Sequence, residues 1–158
     1  MRVPRDRRLV ILIVIGVILA GVAIFAFVDR HPEQARVTVL DEDGTELGTV
    51  SVRVADTGAE RYTGLSDTES LGPSEGMLFV HETVGEKAYV MRDMAFPIDI
   101  VFIGPDRQIT AIHHAPTEEP PYQRYRGRAK WVLEVPSNWT VEHGVTIGDR
   151  IRIDWADS

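Results

Sequence analysis

The chain has 158 residues, a formal net charge of −7 and no cysteine. That length holds one ordinary domain plus an appendage, because domains usually run to about 100–150 residues. The missing cysteine excludes disulfides, thiolate metal sites and a cysteine nucleophile, and the acid excess argues against general nucleic-acid binding, which needs a basic face to displace counterions.

Residues 1–8 carry Arg2, Arg5, Arg7 and Arg8 against Asp6 alone. Residues 9–28 then read LVILIVIGVILAGVAIFAFV, twenty positions without a charge. At about 1.5 Å per residue they match a hydrocarbon core about 30 Å thick, so the spacing predicts one transmembrane helix. The basic flank keeps the N-terminus cytoplasmic by the positive-inside bias, which puts everything after the span outside. A cleaved signal peptide would need an apolar run of about 7–15 residues and an A-x-A-like site, and neither is present.

Residues 29–35 are short and polar, with Pro32, and read as a linker. The outer part, residues 29–158, holds 13 cations against 23 acids, a formal charge of −10, and has the chain's two lysines. From residue 36 onward the pattern is of short strands. RVTVL (36–40), the turn DEDG (41–44) and ELGTVSVRVA (46–55) form a hairpin, since Val50, Val52 and Val54 alternate with polar neighbours. In DTGAERYTGL (56–65) the period changes to helical; Thr57 and Glu60 have capping-box spacing, and Gly64 is placed to end the helix.

Strands are then predicted at 76–80, 87–91, 98–103 and 108–114, the last two joined by a turn GPDR (104–107). Residues 115–128 carry three prolines without an apolar period and read as a long exposed loop. A strand at 129–135, a turn or helical turn at 137–144 and an alternating last strand, RIRIDW (150–155), complete the chain. The predicted class is mainly β (β-rich α+β) over residues 36–158, a compact sandwich or partly closed barrel with one or two short helices, preceded by the transmembrane helix.

Charges inside the most apolar outer segment, YVMRDMAFPIDIVFI (89–103), give the candidate site. Both faces of IDIVFI are apolar, so this strand is central and Asp99 is buried, which obliges it to find a cation or several donors. An Arg61–Asp99 ion pair pinning helix to sheet is the structural expectation. The functional alternative gathers Met91, Arg92, Asp93, Asp99 and Glu134 around a pocket. His113 and His114 could offer imidazole to a metal, but the spacing is not diagnostic and adjacent strand residues face opposite sides; no metal and no cofactor is predicted. In YQRYRGR (122–128), Arg124, Arg126 and Arg128 form a basic patch that either folds back onto the domain's own excess acid or grips an envelope protein, a glycan or an anionic lipid. Asn138-Trp139-Thr140 is an N-x-[ST] sequon, making Asn138 a glycosylation candidate or a turn or helix cap.

In order, ERYTGL (60–65), EGMLFV (75–80), YVMRDMAFPIDIVFI (89–103), KWVLEVP (130–136) and HGVTIGDRI (143–151) resemble the domain of unknown function 192 family. The resemblance spans residues 46–154 and implies a compact β-rich domain, frequently secreted or membrane-anchored, with no established reaction, cofactor or substrate. Two departures stand out. Met91-Arg92-Asp93 replaces a common M-K-N, which puts in doubt any contact needing an amide donor, and Ser137-Asn138 follows the proline where glycine is usual. The functional expectation is a noncatalytic ligand-binding or protein-interaction module; the alternative is a hydrolytic or metal-assisted enzyme acting on envelope material through Asp93, Asp99 or Glu134.

Overall fold

A computed structural model describes residues 33–156. The predicted basic segment and transmembrane helix lie outside the described residues, as does most of the linker. Among the described residues no helix is long and apolar enough to cross a membrane.

Seven strands form one sheet: β1 (Gln34–Leu40), β2 (Glu46–Ala55), β3 (Glu75–Tyr89), β4 (Ile98–Ile103), β5 (Ile109–Ala115), β6 (Tyr125–Pro136) and β7 (Arg150–Trp155). Their order across it is β5-β4-β6-β3-β2-β1-β7. All neighbours are antiparallel except β2 and β3, which run parallel. Two short helices accompany the sheet, α1 (Gly58–Thr63) and α2 (Trp139–Glu142). The fold is therefore mainly β, as its alternating runs predict, but it is one sheet rather than a two-sheet sandwich. Nor is that sheet closed. An isolated bridge from Gln108 to Arg150, flanked by Ile109 N–H donating to Asp149 O at 2.8 Å, clips the β5 end to the β7 end.

Both faces of the sheet carry a core, as central strands apolar on both sides require. On one face Val37, Val50, Leu78, Val101, Leu133 and Ile153 pack together, with Trp139 of α2 against them. On the other, Met77, Phe79, Met91, Ile100, Phe102 and Val132 pack under α1 and the segment after it, which contributes Leu65. β4 is buried at every position, because it serves both cores. Gly127 exists for that second core: a Cβ there would meet the Phe102 ring at 2.5 Å.

Local signals fix α1. Thr57 Oγ1 accepts from Glu60 N–H while the Glu60 carboxylate accepts from Thr57 N–H, closing the predicted capping box. Gly64 ends the helix at φ 54°, a left-handed conformation that costs a side chain about 1–2 kcal/mol.

Two strand boundaries differ from the sequence reading. Residues 76–80 and 87–91 were expected as separate strands, yet one strand, β3, runs from Glu75 to Tyr89. The register explains the break in pattern: Val80 faces Trp131 but Gly85 faces Ala129, so β3 spends five steps where β6 spends two. The extra residues bulge outward and interrupt the alternation without ending the strand. Likewise β6 begins at Tyr125, inside the expected loop, because Tyr125 and Ala129 are buried on one face while the intervening arginines mask the period.

Candidate functional site

Asp99 is 0 % exposed and fully partnered. It accepts from His114 Nδ1 at 2.7 Å, Thr140 Oγ1 at 2.6 Å, and the backbone N–H groups of Thr140 and Asn138 at 3.0 and 3.1 Å. Its carboxylate thus caps α2 from the neighbouring sheet. This corrects the expected Arg61–Asp99 pair: the partner is His114, which β5 places directly opposite Asp99 in the ladder. The Arg61 guanidinium instead donates to the carbonyls of Asp56 and Val80, tying α1 to β3.

Glu134 behaves differently. It lies opposite Ile100 in β4 and Met77 in β3, so by strand alternation it faces the α1 side whereas Asp99 faces the Trp139 side. It is 6 % exposed. Burial alone pushes its pKa up to about 8, with no hydrogen bond or cation opposing the rise. Among the described residues no fully occluded side-chain oxygen lacks a partner, so the unbonded Glu134 carboxyl must reach open space. That space is a cavity of about 270 Å³ between α1 and the β3–β6 pair, which Glu134 lines.

The cavity walls come from three segments. Arg61 and Tyr62 of α1, with Leu65 and Ser66 beyond it, form one side; Phe79, His81 and Tyr89 of β3 form another; Arg92 and Met94 close the third. Arg92 is held across the opening: its Nη2 donates to Tyr62 O at 2.7 Å, its guanidinium lies 4.1 Å from the Tyr62 ring centroid, and Ser66 Oγ donates to Arg92 O at 2.9 Å. The β3 bulge brings His81 Nε2 within 3.0 Å of the Tyr89 hydroxyl. Burial and the cations Lys87, Arg61 and Lys130 hold the His81 pKa down to about 4. Burial and the nearby Glu134 push that of Tyr89 up, against a smaller opposing pull from Arg61. At neutral pH the lining therefore contains a protonated acid, an uncharged imidazole, an intact phenol and two guanidiniums.

The remaining sequence candidates scatter. Met91 is a core residue, 1 % exposed, beside Ile98 and Ile100. The Asp93 side chain is 72 % exposed and meets only Arg92, at 3.7 Å. Asp93, Asp99 and Glu134 do not converge, so catalysis by the three together has no geometric basis. Arg124, Arg126 and Arg128 are exposed; the latter two lie on β6 opposite Ala88 and Glu86. Among the described residues none of the three arginines forms an ion pair within 4.0 Å. Asn138 is exposed and occupies the N-cap of α2 at φ 67°, without a side-chain capping bond, while the sequon's Thr140 is 1 % exposed and bonded to Asp99. Among the described residues, no group of three or more His, Asp or Glu side chains is placed to hold a metal ion.

His81 and Tyr89 were not found from sequence. The approach of His81 to Tyr89 depends on a bulge that no local pattern announces. The Asp99–His114 contact had a signal, since both residues flank the GPDR turn at hairpin distance.

A single mainly β sheet with short helices on its faces and an unpartnered buried acid below one of them defines a class rather than an activity. The chain belongs to the DUF192 family, described as "Uncharacterized ACR", whose model matches residues 38–153. No curated protein matches it. Among solved structures it is similar to a candidate transcription regulator from Sinorhizobium meliloti 1021, at 25 % identity and TM-score 0.71 over 79 % of this chain and 97 % of that one. It is also similar to a protein of unknown function from Novosphingobium aromaticivorans DSM 12444, at 29 % identity and TM-score 0.64 over 74 % of this chain and 83 % of that one.

Proposed function

We propose that the chain is a single-pass membrane protein whose β domain lies outside the membrane and acts as a noncatalytic ligand-binding module, with the cavity below α1 as its binding site. One observation carries the binding reading: Glu134 is buried, lacks a hydrogen-bond partner among the described residues, and opens onto a cavity. A buried polar group without a partner is costly unless a ligand or water satisfies it. Membrane attachment rests on the apolar run 9–28 and the arginines before it.

Ser66 lines the cavity, is only half-buried and turns its Oγ toward Arg92 at the opening, so Ser66→Trp obstructs that opening without entering the core. Ligand-observed NMR of the full-length chain against a library of small polar molecules tests the reading. Hits that bind the natural chain and lose binding in Ser66→Trp support it; equal binding to both chains removes the cavity from the proposal.

The description of one structural neighbour as a transcription regulator is not carried over, because an outer domain at −10 repels a phosphate backbone. A second reading, acid–base catalysis on envelope material, is favoured by a protonated Glu134 at neutral pH, a state suited to a general acid. Turnover of an envelope polymer by the natural chain and its abolition in Glu134→Gln would select that reading over simple binding.

A further inference from the structure

Taking that cavity to be a ligand site, we infer that its ligand is a small organic carboxylate with a short apolar tail, received by the buried carboxyl of Glu134 beside the guanidiniums of Arg61 and Arg92.

Charge placement points there first. The outer domain is strongly acidic, yet its two lysines, Lys87 and Lys130, both act on His81 at this cavity, together with Arg61. In the wall itself stand two guanidiniums, those of Arg61 and Arg92. No carboxylate appears among the groups acting on His81, and Glu134 is the one acid in the lining. The acidic average of the domain thus hides a locally positive pocket, which draws anions.

Hydrogen-bonding chemistry narrows the class. The Glu134 carboxyl can donate its proton to a carboxylate oxygen in an O–H···O⁻ bond, among the strongest hydrogen bonds a side chain makes. A monoanion also loses less hydration on entry than a phosphate dianion, which matters beside Leu65, Phe79 and Met94. Those side chains offer an apolar wall for a short tail. With about 270 Å³ available, the cavity lies just below the usual range for drug-sized ligands, about 300–1,000 Å³, so only a few carbons fit.

The acid also supplies a pH signature. Groups facing it are Met77 from β3 and Ile100 from β4, both apolar, and across the cavity Tyr89, His81, Arg61 and Arg92. His81 already lies uncharged above pH about 4 and Tyr89 is shifted upward, which leaves Glu134 to titrate between pH 7 and 9. One pH unit above its pKa about one molecule in ten remains protonated. Anion affinity falls accordingly.

Isothermal titration of the purified full-length chain with butyrate, butyramide and inorganic phosphate tests the inference. Expected are saturable butyrate binding that is about tenfold weaker at pH 9 than at pH 7, retention of binding without that pH dependence in Glu134→Gln, and at least about tenfold weaker binding of butyramide and phosphate. Ser66→Trp should abolish binding. Butyramide or phosphate binding as tightly as butyrate, or butyrate binding that ignores pH, would overturn the carboxylate assignment while leaving the cavity a ligand site. No binding of any of the three, with library hits still blocked by Ser66→Trp, overturns the ligand class alone; no hits at all overturns the binding reading beneath it.

Discussion

Asp99 and Glu134 stand on neighbouring strands one register step apart, and that single step decides their chemistry. Asp99 is satisfied by four donors, Glu134 by none that the described residues supply. Replacing Asp99 by alanine strands two backbone N–H groups and the Thr140 hydroxyl in the interior, and should cost about 3–5 kcal/mol in urea unfolding. Glu134 should show the opposite sensitivity. Its pKa rises on folding from 4.5 to about 8, so the native state holds a proton that the unfolded chain has released, and stability falls as pH climbs through that window. The natural chain should lose up to about 1.4 kcal/mol per pH unit there relative to Glu134→Gln, read from unfolding midpoints at stepped pH. Burial of both carboxylates follows from their apolar neighbours in sequence, whereas their partners depend on register, which local pattern does not specify. Asp93 is instructive in another way. It sits at φ 55° with an exposed side chain, a left-handed backbone that asparagine tolerates as well as aspartate does. Asp93→Asn should be neutral, and Asp93→Ala should cost about 1 kcal/mol by the same measurement.

At the level of elements, α1 was the most legible piece, because its start and stop are written in side-chain chemistry: a Thr-x-x-Glu box at one end and a glycine at the other. Thr57→Ala should destabilise the domain by about 1 kcal/mol in thermal unfolding and, since α1 carries Arg61, weaken any cavity ligand as well. β2, β4 and β7 have the bounds that their apolar patterns predict. β3 and β6 do not, for one shared reason. Their pairing continues past the bulge into 85–89 against 125–129, where charged residues occupy the solvent face and the alternation is carried by few side chains.

For the whole molecule, composition and patterning fixed the class but not the closure of the sheet, since nothing local states which strand ends meet. The clip between residues 107–109 and 148–151 joins positions some forty apart in sequence. The proposed topology is testable at this scale too: protease added outside intact cells should digest the β domain after unfolding conditions expose it, and a domain protected until lysis would place it in the cytosol instead.

One antiparallel sheet contains a single parallel pair, β2 beside β3. Parallel neighbours cannot be joined by a tight hairpin and need a connection that leaves the sheet and returns. Here residues 56–74 make that return trip, and α1 rides on it. Had β2 and β3 been joined head to tail by two residues, Glu134 would look out on bulk solvent and titrate as any surface acid. The topological detour is therefore what roofs the acid, and shortening it should erase the recess before it harms the sheet.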